Sequence, residues 1–207
     1  QIFGDKAKQP KFDLVAHSMG GLVTRYYLMY GDAPLPEDGS LPEVTWKGAE
    51  NVSRVVFIAP PNSGSVVAFE NLVNGKTFGP LQPVFEQALI GTHVSTYQLF
   101  PRDRHRRVKI KGSDEFVSLF NIDTWEEYDW GILNPSQEPL LEILMPDEPS
   151  AEFRRDRVKR HLAKILARAE QFQRAVDRPV TPPPGLEMYL VVGGGFETPA
   201  AVEYDPE

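Results

Sequence analysis

The sequence contains no cysteine, which excludes disulfide bridges and thiolate metal ligands. It has no apolar run of the length that spans a bilayer and no stretch with the pattern of a secretory signal. Basic residues are in the minority, at 22 against 29 acidic ones, and the net charge of −7 argues against nucleic acid as a partner. The missing cysteine fits a reducing compartment, so a cytoplasmic location is slightly favoured.

The composition is that of an ordinary globular protein, 41% hydrophobic and 25% charged over 207 residues, enough for one domain with a substantial core. Residues 12–16 are apolar enough for a buried strand. Residues 22–30 carry apolar side chains at helical spacing, and Gly31 follows where a helix commonly ends. The pattern therefore predicts a strand, a sharp turn with Ser18 at its tip, and a helix.

A serine in such a turn is typical of a nucleophile elbow. Because a hydroxyl is a weak nucleophile, it must face a base and a substrate carbonyl together, and a tight turn lifts it clear of the sheet. We expect the small residues Ala16, Gly20 and Gly21 to relieve crowding between strand and helix, with little room for a side chain at Gly20. The Met19 backbone N–H, at the start of the helix, is the expected oxyanion donor. The alternative, a surface serine in a glycine-rich loop, is disfavoured by the flanking patterns.

Three further elements extend this beginning into an α/β fold. Residues 52–59 form a β-branched apolar run that suits a central parallel strand, so strand, helix and strand predict a right-handed βαβ unit. Residues 151–177 have one apolar face at helical spacing and predict a long amphipathic helix. Residues 186–192 predict another core strand.

The same patterns predict one domain in three parts. Between the core elements the periodicity loosens, and aromatic residues cluster at 125–130, which is typical of an inserted cap more than of further sheet. The predicted parts are a core with the elbow at 1–64, a cap at 65–149 and a return to the core at 150–207.

None of the four histidines has the position of a catalytic base on a loop after a core strand. His17 adjoins Ser18 but faces another side of the turn, so a packing role is favoured. His161 is a boundary residue of the long predicted helix, and His105 lies within a basic surface run. His93 lies in the predicted cap and follows no strand.

Two other stretches suggest binding but favour simpler interpretations. The glycines at 193–195 lack the spacing of a phosphate loop and indicate a turn after a strand. The basic run at 102–111 is more typical of a solvated face, with contact to anionic lipid head groups as the alternative. Its alternation at 108–111 predicts an edge strand. The sequence indicates no metal and no organic cofactor.

Residues 12–30 resemble the nucleophile region of α/β-hydrolase lipases. Further stretches are similar, in the same order, to the lecithin:cholesterol acyltransferase-like family, which includes lysosomal-type phospholipases. These stretches are 55–65, 78–81, 95–101, 183–187 and 193–199. The resemblance implies an α/β-hydrolase fold with a mostly parallel sheet and an inserted cap. Pro61 occupies a position where members of the family often carry tryptophan.

The resemblance also implies where the rest of a catalytic triad lies. In the family the acid and the histidine come later than the last segment matched, so both are expected beyond Glu207, and one oxyanion loop is expected before residue 1. The chain then looks like a central portion of the complete domain. The isolated 207-residue piece is expected to lack esterase activity, because it has no base.

The hypothesis is a serine-dependent lipid-ester hydrolase or O-acyltransferase that works through an acyl-enzyme on Ser18. Its partners would be a lipid or other ester substrate, held in the cap by its acyl chain, and transiently a membrane or lipid surface. Oligomeric state, acyl length and acceptor stay open. The alternative is a non-catalytic domain of the same fold that binds lipid or a partner.

Overall fold

A computed structural model of the protein describes residues 10–77, 79 and 84–206. The predicted similarity at 78–81 lies outside these residues except for Gly79. The described strands are β1 Phe12–His17, β2 Val52–Ile58, β3 Lys76–Thr77, β4 Val84–Phe85, β5 Val108–Ile110, β6 Glu187–Val191 and β7 Val202–Tyr204. The α-helices are α1 Met19–Tyr30, α2 Val66–Asn74, α3 Gln87–Gly91, α4 Val94–Gln98, α5 Ile122–Glu127, α6 Glu138–Leu144 and α7 Ala151–Val176.

The chain divides into two compact units. The first unit consists of residues 1–62 and 171–197, and the second of residues 63–170 and 198–207. The predicted boundary lies at residue 64, and the first segment of the first unit ends at residue 62. The predicted return to the core at residue 150 differs, because the apolar face of α7 over Val158, Leu162 and Ile165 packs in the core of the second unit. The tail also belongs there, since β7 pairs with β5.

The first unit contains a parallel sheet of order β1-β2-β6. The connection from β1 through α1 to β2 is the predicted βαβ unit. Val55 and Phe57 are buried on one face of β2, where they pack with Ala16 of β1 and Leu28 of α1. At the C-terminus of α1, the Tyr30 hydroxyl donates to the Ala175 carbonyl at 2.9 Å. Burial raises the pKa of this phenol, and nearby Arg178 partly offsets the rise.

The strand predicted at residues 186–192 exists as β6, but its side chains are not in the core. β6 is an edge strand of the sheet as described, like β1, so it has a strand neighbour on one side only. Its side chains are open to solvent as well, with Leu190 58% exposed and Val191 50% exposed. An apolar run indicates that a strand is suited to burial. Within the described residues, however, no element packs over the side chains of β6, and all five of its residues are exposed.

The second unit is mainly helical and is built around aromatic side chains. Trp125 lies at its centre, fully buried, with the ring of Phe100 stacked on it at 5.8 Å and the rings of Phe69 and Trp130 edge-on. The Trp125 indole N–H donates to the Leu119 carbonyl at 2.8 Å. The cluster predicted at residues 125–130 is thus the core of this unit.

The basic run at 102–111 contains the predicted strand, β5, with Val108 and Ile110 buried on one side. Its lysines pair with acids of the tail beside it, Lys109 with Glu203 and Lys111 with Asp205. Those pairs favour a solvated, locally neutralised surface. No helix in the described part of the chain is both long and apolar enough to cross a bilayer.

Candidate active site

Ser18 lies between the last residue of β1 and the first residue of α1, with φ 53° and ψ −130°. A positive φ is strained for any residue with a Cβ and is tolerated only where the surroundings impose it. Here the ladder to β2 does so, because the Ser18 backbone N–H donates to the Ile58 carbonyl at 3.0 Å. The turn is therefore sharp, and it lies at the carboxyl end of the parallel strands, where sites assemble in open α/β sheets.

The Ser18 side chain is exposed and does not cap the helix that follows it. Ser18 is the N-cap of α1, but within the described residues its side chain makes no capping hydrogen bond, which is the usual role of serine at this position. The residue is exposed, and Met19 beside it is 41% exposed. Met19 begins α1, whose first backbone N–H groups have no carbonyl partner within the helix. The Ser18 hydroxyl and the N-terminus of α1 are therefore adjacent and exposed.

The small residues around Ser18 have different roles from those predicted. Ala16 is buried within β1, and its predicted role in relieving crowding at the turn stays a prediction. The expected crowding at Gly20 is wrong: among the described residues, no atom of another element lies within 4 Å of a Cβ built there. Gly21 is the crowded position, because its Cβ would lie 2.7 Å from the Pro60 Cβ and 3.4 Å from a Phe57 ring carbon. Helix and sheet approach most closely one residue later than predicted.

The segment after β2 is a second strained turn, which the sequence did not indicate. Ala59 has φ 44°, and its N–H donates to the Val191 carbonyl of β6 at 2.9 Å. The Asn62 N–H then folds back onto the Pro60 carbonyl at 2.8 Å. The only sequence signal was the proline pair directly after a buried strand, which predicts a stop and not a left-handed residue.

Among the described residues, no histidine is hydrogen bonded to the Ser18 hydroxyl. His17 is exposed at the end of β1, so the predicted packing role is not supported by burial. His93 Nδ1 lies 3.1 Å from the Leu89 carbonyl, beside the exposed N-terminus of α4. His105 lies in a single turn of 3-10 helix, and His161 is exposed on α7. Within the described residues, no base or acid is hydrogen bonded to Ser18, and no group of three metal-ligating side chains occurs.

A cavity of about 450 Å³ lies within the second unit. Its walls are largely apolar, with Ala68, Leu89 and Leu99 among them, and it carries polar groups from Lys76 and His93. A volume of this size and lining is typical of sites for small organic ligands.

Fold and turn together define a class: a mixed α/β protein whose parallel sheet, compatible with an α/β-hydrolase fold, ends in a strained serine turn before a helix. The particular family follows from the sequence model described as Lecithin:cholesterol acyltransferase, which matches residues 4–207. The chain belongs to this family. A search of curated proteins finds no significant match.

A solved structure described as "The crystal structure of Tle4-Tli4 complex" contains a chain that this one resembles. The two are 19% identical, with a TM-score of 0.52. The likeness covers 81% of the present chain but only 33% of the other, so the chain spans about a third of that protein's length. At this identity the likeness concerns the fold.

Proposed function

We propose that the protein is a serine-dependent lipid-ester hydrolase or O-acyltransferase and that Ser18 is its nucleophile. The observation that carries the proposal is the strained backbone of Ser18, φ 53° and ψ −130°, between β1 and α1. Strain of this kind is retained where function requires it, and a strand-to-helix turn of this kind is the setting of a nucleophile elbow. Membership of the lecithin:cholesterol acyltransferase family supports an ester of a lipid as substrate.

In the proposed reaction the Ser18 oxygen attacks the ester carbonyl carbon while a general base takes the hydroxyl proton. The carbonyl oxygen becomes an oxyanion and accepts a hydrogen bond from the Met19 N–H, at the start of α1. Collapse of the tetrahedral intermediate expels the alcohol, which takes back the proton, and leaves an acyl-serine. Water or a second alcohol then accepts the acyl group. The histidine and acid of the triad are proposed to lie beyond Glu207.

The cavity in the second unit is proposed to bind a hydrocarbon chain. Its lining side chains, among them Leu89, Ile90 and Leu99, would bury methylene groups at roughly 0.8 kcal/mol each. Replacing Leu99 with a polar residue of similar size, Leu99→Gln, should weaken binding of a long-chain fatty acid more than of a short-chain one.

A fluorophosphonate probe on the full-length protein tests the nucleophile. The probe should label the wild type, label Ser40→Ala equally, and fail to label Ser18→Ala; Ser40 is a matched control because it is an exposed serine in a loop. Mass spectrometry should place the adduct on Ser18. Labelling that survives in a folded Ser18→Ala variant would refute the assignment. A folded wild type that the probe never labels would favour the non-catalytic alternative.

A further inference from the structure

The turn formed by residues 59–62 lies directly beside Ser18. In the register of β1 and β2, His17 is paired with Ile58, so the next residues of the two strands, Ser18 and Ala59, leave the sheet side by side. Adjacent strands lie about 4.8 Å apart. Whatever binds at the Ser18 hydroxyl therefore has this turn as its neighbour on the β2 side.

Two contacts hold the turn against α1. One is the close packing of Pro60 on Gly21, where no Cβ would fit. The other is a hydrogen bond, in which Arg25 Nη2 donates to Asn62 Oδ1 at 2.8 Å across 37 residues of chain. The Arg25 guanidinium carbon also lies 6.0 Å from the ring centroid of Phe57, on β2.

The second contact has the properties of a positioning device. The bond is partly buried and its donor is a guanidinium, which stays charged at all accessible pH values. Its acceptor, Asn62, follows a proline pair that offers no backbone N–H to any neighbouring strand. The Arg25 side chain thus links the last residue of the turn to α1, the helix that begins directly after Ser18.

We infer that Arg25 and Asn62 are positioning residues that fix the Pro60–Pro61 wall beside Ser18 and so determine how the ester is held. The inference rests on the proposed function. The side chains of Pro60 and Pro61 have no hydroxyl, amide or charge, so they suit the acyl or alkyl part of an ester and not its head group. Loss of the bond should loosen substrate binding and leave the reactivity of the serine unchanged.

The test uses the full-length protein and three variants. Asn62→Leu and Arg25→Met remove the hydrogen bond, whereas Asn62→Asp retains an acceptor oxygen at the same place. We expect the first two to raise KM for a long-chain p-nitrophenyl ester about tenfold, with kcat and the rate of fluorophosphonate labelling little changed. Asn62→Asp should restore a KM close to that of the wild type. Arg54→Met is the control, since it breaks the exposed Arg54–Asp13 pair at the opposite end of the same strands.

A second measurement does not depend on activity. The amide of residue 62 donates to the Pro60 carbonyl, so its hydrogen exchange reports on the turn. Exchange at this amide should be faster in Asn62→Leu than in Asn62→Asp. An unchanged KM or an unchanged exchange rate in Asn62→Leu would overturn the inference, as would an Asn62→Asp variant that behaves like Asn62→Leu. Turnover that persists in Ser18→Ala would instead overturn the proposed function, and the exchange measurement would still decide the role of the bond.

Discussion

Gly20 and Gly21 are neighbours in the first turn of α1, and the structure predicts opposite results when each is replaced by alanine. Both substitutions gain a similar helix-propensity term of about 0.5–1 kcal/mol, because glycine is the less favourable residue within a helix. Only Gly21→Ala places a Cβ 2.7 Å from the Pro60 Cβ, an atom of a rigid ring that cannot rotate away. Overpacking of this kind typically costs about 1–3 kcal/mol.

The difference between the two variants isolates that contact, since the propensity term is common to both. Gly20→Ala should unfold at a urea concentration equal to or above that of the wild type, and Gly21→Ala should be about 1–3 kcal/mol less stable than Gly20→Ala. Equilibrium urea unfolding of the full-length protein, followed by tryptophan fluorescence, measures both. Equal midpoints for the two variants would refute the close approach of α1 to the 59–62 turn.

Three other substitutions test features of the two units. Ser18→Gly should raise the free energy of unfolding by about 1 kcal/mol, because glycine adopts the φ of 53° without strain. The same variant should not react with the fluorophosphonate probe, because it lacks the hydroxyl. A Ser18→Gly variant less stable than the wild type would show that the turn is not strained. Trp125→Ala should cost about 3–5 kcal/mol, measured by urea unfolding, since the ring is fully buried. Burial raises the pKa of Tyr97, so its folded form retains the proton and the stability it contributes should fall as the pH rises above about 10. Tyr97→Phe should lose the bond to the Gly91 carbonyl and flatten that alkaline dependence, and an unchanged pH profile of unfolding would contradict this.

Local patterns were sufficient to predict the elements around Ser18. The apolar runs of β1 and β2 and the helical spacing of α1 depend on neighbours a few residues apart, which the sequence displays directly. The expectation for Gly20 failed for the opposite reason. Which of two adjacent glycines touches Pro60 depends on how α1 crosses the turn after β2, a contact between residues 39 positions apart in the sequence.

The remaining features of the candidate site are non-local in the same sense. The positive φ of Ala59 accompanies a hydrogen bond from its N–H to Val191 on β6, and alanine carries no sequence signal for such a conformation. The hydrogen bond between Arg25 and Asn62 joins a helix to a turn, and no sequence motif at either residue predicts it. Likewise, the apolar run at residues 186–192 was sufficient to predict a strand there. Whether that strand is buried depends on which elements pack over it, and the run itself does not show this.

The pairing of β5 with β7 constrains the order in which the chain can fold. Lys111 and Asp205 on this pair are separated by 94 residues, and at about 5–20 residues per second a ribosome needs roughly 5–20 s to make them. Throughout that interval β5 has no parallel partner, and the rings of Tyr128 and Trp130 lack the Tyr204 ring that later packs edge-on against both. The second unit can therefore complete its core only after the residues of β6 in the first unit have been synthesised, although β5 itself is made well before β6.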